Sequence, residues 1–311
     1  MDTDFLDWAL ADFSGYVAAD EVYDGPFCIL SVVDNRCYKR ILYEVLDHDP
    51  THEDIRAFLG RLKTALVARG LTLCGVTTDG SALYPAPLRE VFGKVRHQIC
   101  QFHIIAEVVK AVVGAVASAR KGLAAQQPKL RRGRPSTPAA KQAAGTKKRL
   151  EAQRAALFTH RYLFIQRHVS KTERKLLWRI TRGLPHVYRL RVLMDQVYVL
   201  FDRRCRTQTA LDKLATLRRR LLRFPQVGET LKKLFAPTLE KALTFLDDKL
   251  LPATSNAVER GNRRYRKMQK SVYRVRTQAQ IRARLALDMW REAQAEGRQQ
   301  TLAALHRARA G

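Results

Sequence analysis

The chain has 311 residues, 46% hydrophobic, and a formal charge of +28 from 57 Lys and Arg against 29 Asp and Glu. That length suits one large domain or two ordinary ones, and that charge favours a polyanionic partner, nucleic acid before an anionic membrane surface. Five cysteines without a C-x-x-C pair, an acidic N-terminus and no apolar run near the roughly 18 residues of a bilayer span predict a soluble cytoplasmic protein with reduced thiols.

Residues 16–46 predict three strands. YVAADEVY is short and β-prone, PFCILSVVD is a near-continuous apolar run, and RILYEVLD follows a polar turn at Asp34–Arg36. Their close spacing predicts antiparallel hairpins in a sheet covered on both faces. DPTHEDIRAFLGRLKTALVARGL predicts a helix, with Thr51 as N-cap, Asp54 three residues on, and Gly70 as its stop. LTLCGVTTDG returns to strand, PAPLREVFG is a short helix opened by prolines, VRHQICQFH is a strand, and IIAEVVKAVVGAVASA is an apolar helix. The order βββαβαβα makes residues 1–118 α/β.

The charge is divided along the chain. Residues 1–110 hold 11 Lys and Arg against 16 Asp and Glu, whereas residues 111–311 hold 46 against 13. The acidic front predicts a folded body with carboxylate chemistry, and the basic back a phosphate-binding surface. Residues 119–149 read as a basic linker rich in Pro, Ala, Lys and Arg. Residues 150–250 have helical periodicity throughout and predict an all-helical subdomain. Residues 251–311 predict two helices. The first runs to about Lys270, with Asn256 as its cap and Glu259 at the third helical position of a capping box. The second begins near Gln280.

Asp20 in the first strand, Asp79 at the end of a later strand and Glu259 on a late helix are candidate metal-binding carboxylates. Phosphoryl chemistry with two divalent ions needs two or three such groups converging on one point. Plainer readings stand beside this one. Asp20 is a solvated strand end, with Glu21 or Asp24 an equal candidate; Asp79-Gly80 is a turn; Glu259 is a cap favoured by the helix dipole. His97, Cys100 and His103 in HQICQFH lack a fourth zinc ligand nearby, so a zinc site is disfavoured and a structural cysteine beside a cleft is preferred. Arg132-Gly133-Arg134-Pro135 matches an AT-hook core, whose arginines enter a narrow A·T minor groove; its plain reading is a nonspecific tether. Arg260, Arg263, Arg264, Arg266, Lys267 and Lys270, interleaved with Tyr265 and Tyr273, predict phosphate contact from a helix otherwise self-repelling.

Together, Asp20-Glu21, TTDGSALYPAPLREVFGKVRHQICQFH and TSNAVERGNRRYRK resemble a bacterial insertion-sequence transposase of the DDE superfamily. The Cys100-x-x-His103 spacing is similar to the signature of its Mutator-like lineage. The resemblance implies an RNase H-like mixed sheet with flanking helices, interrupted by a large all-α insertion. It implies that Asp20, Asp79 and Glu259 hold two Mg2+ or Mn2+ ions, with Glu21, Cys100 and His103 near the active site. Double-stranded DNA is the implied partner, and a homodimer or larger assembly on DNA ends the implied state, in the cytoplasm at the nucleoid. The usual N-terminal zinc-finger or helix-turn-helix reader is not seen in the roughly fifteen residues, acidic overall, ahead of the first strand. A non-catalytic DNA-binding descendant and an RNase H-fold nuclease or resolvase are the alternatives.

Overall fold

The computed structural model describes residues 3–222, 238–270 and 276–294. The chain divides into two bodies, one of residues up to Gln101 and from Lys241 on, the other of Phe102–Glu240.

The first body is built on five strands: β1 (Tyr16–Asp24), β2 (Phe27–Asp34), β3 (Arg40–Leu46), β4 (Gly75–Thr78) and β5 (Arg96–Ile99). Their order is β3-β2-β1-β4-β5. β1, β2 and β3 pair antiparallel, as their close spacing requires. β4 and β5 join parallel to β1, each reached through a helix. Asp34 closes the second hairpin, accepting from the backbone N–H groups of Arg36 (2.7 Å) and Cys37 (3.0 Å) and from Ser14 Oγ (2.8 Å).

Both faces of this sheet are covered. α2 (His52–Val67) and α3 (Pro85–Phe92) lie on one face, where Ile55, Phe58, Leu59, Leu62 and Leu88 pack on Val17, Ala19, Leu30 and Val32. α2 opens with the expected capping box between Thr51 and Asp54. The opposite face receives two later helices, Asn256–Gln269 and Gln278–Gln294, through Val258, Tyr265, Ile281 and Leu285. Because strand residues alternate, Ala18, Asp20, Val22 and Asp24 face these late helices, while Val17, Ala19 and Glu21 face α2 and α3. The mixed sheet, its strand order and its flanking helices are an RNase H-like fold interrupted by a helical insertion.

A short helix, α1 (Thr3–Leu10), precedes β1 where no element was expected. Its apolar Leu6 and Leu10 pack on the sheet core, and Asp7 accepts from Arg69 Nε at 2.8 Å. The acidic composition that argued against a signal peptide hid this one-sided apolar spacing.

The regular elements of the second body, among its described residues, are helices, the longer ones being α4 (Gln101–Ala125), α5 (Pro138–Thr159), α6 (Lys171–Ile180), α7 (Pro185–Leu200) and α8 (Thr207–Leu222). The expected linker 119–149 is shorter than its composition suggested. α4 runs to Ala125, and α5 starts at Pro138 with Thr137 Oγ1 accepting from Ala140 N. Proline at the first helical position opens α5, and the Ala, Lys and Arg that follow are good helix formers. Arg191, 1% exposed, donates to the carbonyls of Leu163, Phe164 and Gln166 and pairs with Asp195, so its buried charge is compensated. Among the described residues one helix, α4, is long and apolar enough to cross a membrane by length and composition alone. The expectation was of no apolar run near that length; Glu107 and Lys110, the charged residues in the N-terminal part of α4, pair at 3.1 Å within the helix.

The closing helices are numbered α9 (Asn256–Gln269) and α10 (Gln278–Gln294). Tyr273 and the expected closing helix beyond Gln294 lie outside the described residues.

Candidate active site

Three carboxylates meet at the edge of the central strands. Asp20 and Glu21 are adjacent on β1. β4 runs parallel beside β1, with Ala18 opposite Thr77, so Asp79 emerges next to Asp20 as β4 ends. Asp20, Glu21 and Asp79 each bring a carboxylate oxygen within 4.8 Å of the others. The residue after Asp79 must be glycine. Gly80 has φ +102, and a Cβ there would lie 2.9 Å from Ile99 Cγ2. This turn aims Asp79 Oδ1 at the Ser81 N–H, 2.8 Å away.

Each of the β1 carboxylates is held from its own face of the sheet. On the late-helix face, Asn262 Nδ2 donates to Asp20 Oδ2 at 2.7 Å, and Asn262 is 4% exposed. On the other face, the fully buried Tyr84 donates its hydroxyl to Glu21 Oε2 at 2.8 Å. Burial raises the Glu21 carboxyl above the usual range, and the Asp79 charge adds to the effect. Burial likewise raises Tyr84 well above the ordinary phenol value, so its proton stays on as a donor.

Glu259, on α9, is grouped with Cys100 rather than with Asp20, Glu21 and Asp79, so the structure does not bring the three expected carboxylates into one cluster. The expected capping box is not formed: Ser255, not Asn256, is the N-cap, and it makes no side-chain cap bond. Glu259 is therefore the fourth residue of the helix, and Ser255 Oγ donates to its Oε1 at 3.0 Å. The Ser255 N–H, outside the helix ladder, donates to Cys100 Sγ, 3.4 Å away. Cys100 Sγ and a Glu259 carboxylate oxygen lie within 4.8 Å. α9 is seated on β1 by Asn262, one turn beyond Glu259 and on the same helix face. A second contact is steric, since a Cβ on Gly261 would lie 2.7 Å from Arg40 Nη2.

HQICQFH is not one strand. β5 ends at Ile99, Cys100 N continues the ladder to Thr78 O at 2.7 Å, and His103 lies in the first turn of α4. His97 turns away to Thr78 Oγ1 at 2.9 Å. Cys100 is fully buried.

Of the α9 cations, Arg260, Arg263, Arg266, Lys267 and Lys270 are exposed. Arg260 lies over the Tyr38 ring at 4.9 Å. Arg264 differs from its expected role: it pairs with Asp288 at 2.9 Å and with Glu292, both on α10. Counting charges along α9 alone missed these acidic partners on the next helix. Arg132 and Arg134 are exposed in the non-helical connection 126–137, where Gly133 has φ +102.

Sequence reasoning missed Tyr84, Asn262 and Gly261. The YPAP stretch and the glycine inside a basic helix were the available signals, but neither names its partner. A family model described as Transposase, DDE_Tnp_ISL3, matches residues 28–285, the greater part of the chain. The match begins after Asp20 and Glu21 and includes Asp79, Cys100 and Glu259. No curated protein and no solved structure gave a match.

Proposed function

This chain belongs to the DDE_Tnp_ISL3 family of transposases, and on that premise we propose that it cleaves and joins DNA strands at insertion-sequence ends, using Asp20, Asp79 and Glu259. The observation that carries this reading is the convergence of Asp20, Glu21 and Asp79 within 4.8 Å, with the Glu259 helix fastened to Asp20 through Asn262. Asp20, Asp79 and Glu259 would hold two divalent ions; hard oxygen donors of this kind suit Mg2+ or Mn2+. When bound, the ions activate the attacking hydroxyl and stabilise the leaving oxygen of an in-line displacement. The chain's own part is to hold the carboxylates at fixed positions with neutral donors, leaving their charge for the cations. Cys100, whose soft sulfur does not suit Mg2+, seats the start of α9 through Ser255 N. A Mutator-like role for Cys100 and His103 beside the site belongs to the same reading.

The substrate is double-stranded DNA, gripped as a homodimer or larger assembly in the cytoplasm at the nucleoid. The body of residues up to Gln101 and from Lys241 on is the catalytic domain, and Phe102–Glu240, with the basic connection 126–137 between α4 and α5, is the insertion. Exposed Arg260, Arg263, Arg266, Lys267 and Lys270 contact backbone phosphates. The test is nicking and strand joining on a supercoiled plasmid with Mg2+ or Mn2+. Activity should require the metal and disappear in Asp79→Ala; equal nicking by that variant overturns the reading. The linker has its own test. Replacing Arg132 and Arg134 by Ala should weaken A·T-rich duplex binding about tenfold more than G·C-rich binding, read by fluorescence anisotropy, because a narrow A·T groove concentrates negative potential. Equal losses on both duplexes leave only a nonspecific tether.

A further inference from the structure

We propose that Glu21 is a fourth carboxylate ligand of the metal site and that Tyr84 is its positioning residue. This rests on the metal reading above and extends it to a side chain outside the three expected carboxylates.

Adjacent strand residues point to opposite faces, and Glu21 is accordingly tied on the α3 side while Asp20 is tied on the α9 side. Glu21 nevertheless brings an oxygen within 4.8 Å of both Asp20 and Asp79. Oxygens sharing an Mg2+ ion, each about 2.1 Å from it, sit about 3–4 Å apart, so small side-chain adjustments bring the three onto one cation. The Tyr84 hydroxyl holds Oε2, and an ionised carboxylate has about four acceptor positions, so the bond leaves lone pairs for a cation. Tyr84 is 1% exposed and lodged among Leu88 and the sheet core, which fixes its hydroxyl against Glu21.

The charges gathered there bear on the same point. Asp20, Glu21 and Asp79 bring three negative charges to one point at the end of β4. Three carboxylates gathered in this way repel one another, and a divalent cation is the group that offsets the repulsion. If Glu21 were only a tie between β1 and α3, a neutral side chain of the same shape would serve equally well. That difference is measurable.

The experiment is an electron paramagnetic resonance titration of Mn2+ on the full-length chain, comparing wild type, Glu21→Gln, Tyr84→Phe and Asp79→Asn, with circular dichroism melts without metal as the folding control. Glu21→Gln is expected to weaken Mn2+ binding at least tenfold, and Tyr84→Phe, which removes one hydroxyl, about tenfold. Wild-type Mn2+ affinity in Glu21→Gln, with loss in Asp79→Asn, overturns the role of Glu21 and leaves the metal site standing. Wild-type affinity in Asp79→Asn overturns the site reading itself and this inference with it. Should Glu21→Gln fail to fold, Tyr84→Phe decides, and unchanged Mn2+ affinity there overturns the proposal.

Discussion

Glu259→Gln is expected to lower metal-dependent plasmid nicking about a thousandfold or more while leaving the fold intact. A metal ion bound at such a site contributes several kcal/mol of charge stabilisation, and each 1.36 kcal/mol is a factor of ten in rate. The glutamine has the same shape but no charge. Its amide oxygen can still accept the Ser255 hydroxyl, now 3.0 Å from Oε1. The capping contribution is small, because Glu259 is the fourth residue of α9 and no capping box forms. Losing its charge near the helix N-terminus costs at most about 1 kcal/mol, a melting shift of about 2–4 °C. Nicking kinetics and a thermal melt on the same preparation separate the two roles. Nicking within tenfold of wild type would remove Glu259 from the chemistry, and a collapsed melt would make it a structural residue.

The second large effect is on stability. Lowering pH from 6.5 to 4 should destabilise the protein by up to about 3 kcal/mol through His97 alone. Burial, with a smaller contribution from Lys241, lowers the His97 pKa from 6.5 to about 4. The sign follows from proton uptake. Between these values the unfolded chain binds a proton that the native imidazole does not, so unfolding gains as pH falls. The stability is fully present above pH 6.5 and is lost as pH falls towards 4. Urea midpoints across this range read the slope, and His97→Gln, which keeps a partner for Thr78 Oγ1, should flatten it. An unchanged slope in that variant would refute the assignment. The effect bears on function because Thr78 directly precedes Asp79, and a charged His97 would have to leave its buried position behind that carboxylate.

Several parts of this molecule follow from the linear sequence. The apolar runs 27–33 and 41–46 can bury themselves only in a sheet covered on both sides, and they do. Thr51 and Asp54 cap α2 because a capping box is local, spanning three residues. Charge counting placed the basic surface in the back of the chain, and it marked α9 as basic. It failed at Arg264, whose partners Asp288 and Glu292 come from another helix. The local capping pattern failed at the start of α9, where Ser255 rather than Asn256 is the N-cap and the Ser255 N–H meets Cys100, far away in the chain.

The site shows the same division. Asp20, Asp79 and Glu259 were legible as carboxylates at a strand, a strand end and a helix start, since those placements need only local patterns. Which donor holds each one was not. Tyr84 reaches Glu21 across 63 residues and Asn262 reaches Asp20 across 242. Neither pairing leaves a mark in composition or periodicity, because a hydrogen bond between distant residues depends on how the sheet faces are covered. The sequence by itself determined the residue types, the strand and helix periods and the sign of the charge. Only the tertiary structure decided that β1 presents two neighbouring acids to opposite faces, and that a buried phenol and a buried amide wait there to hold them.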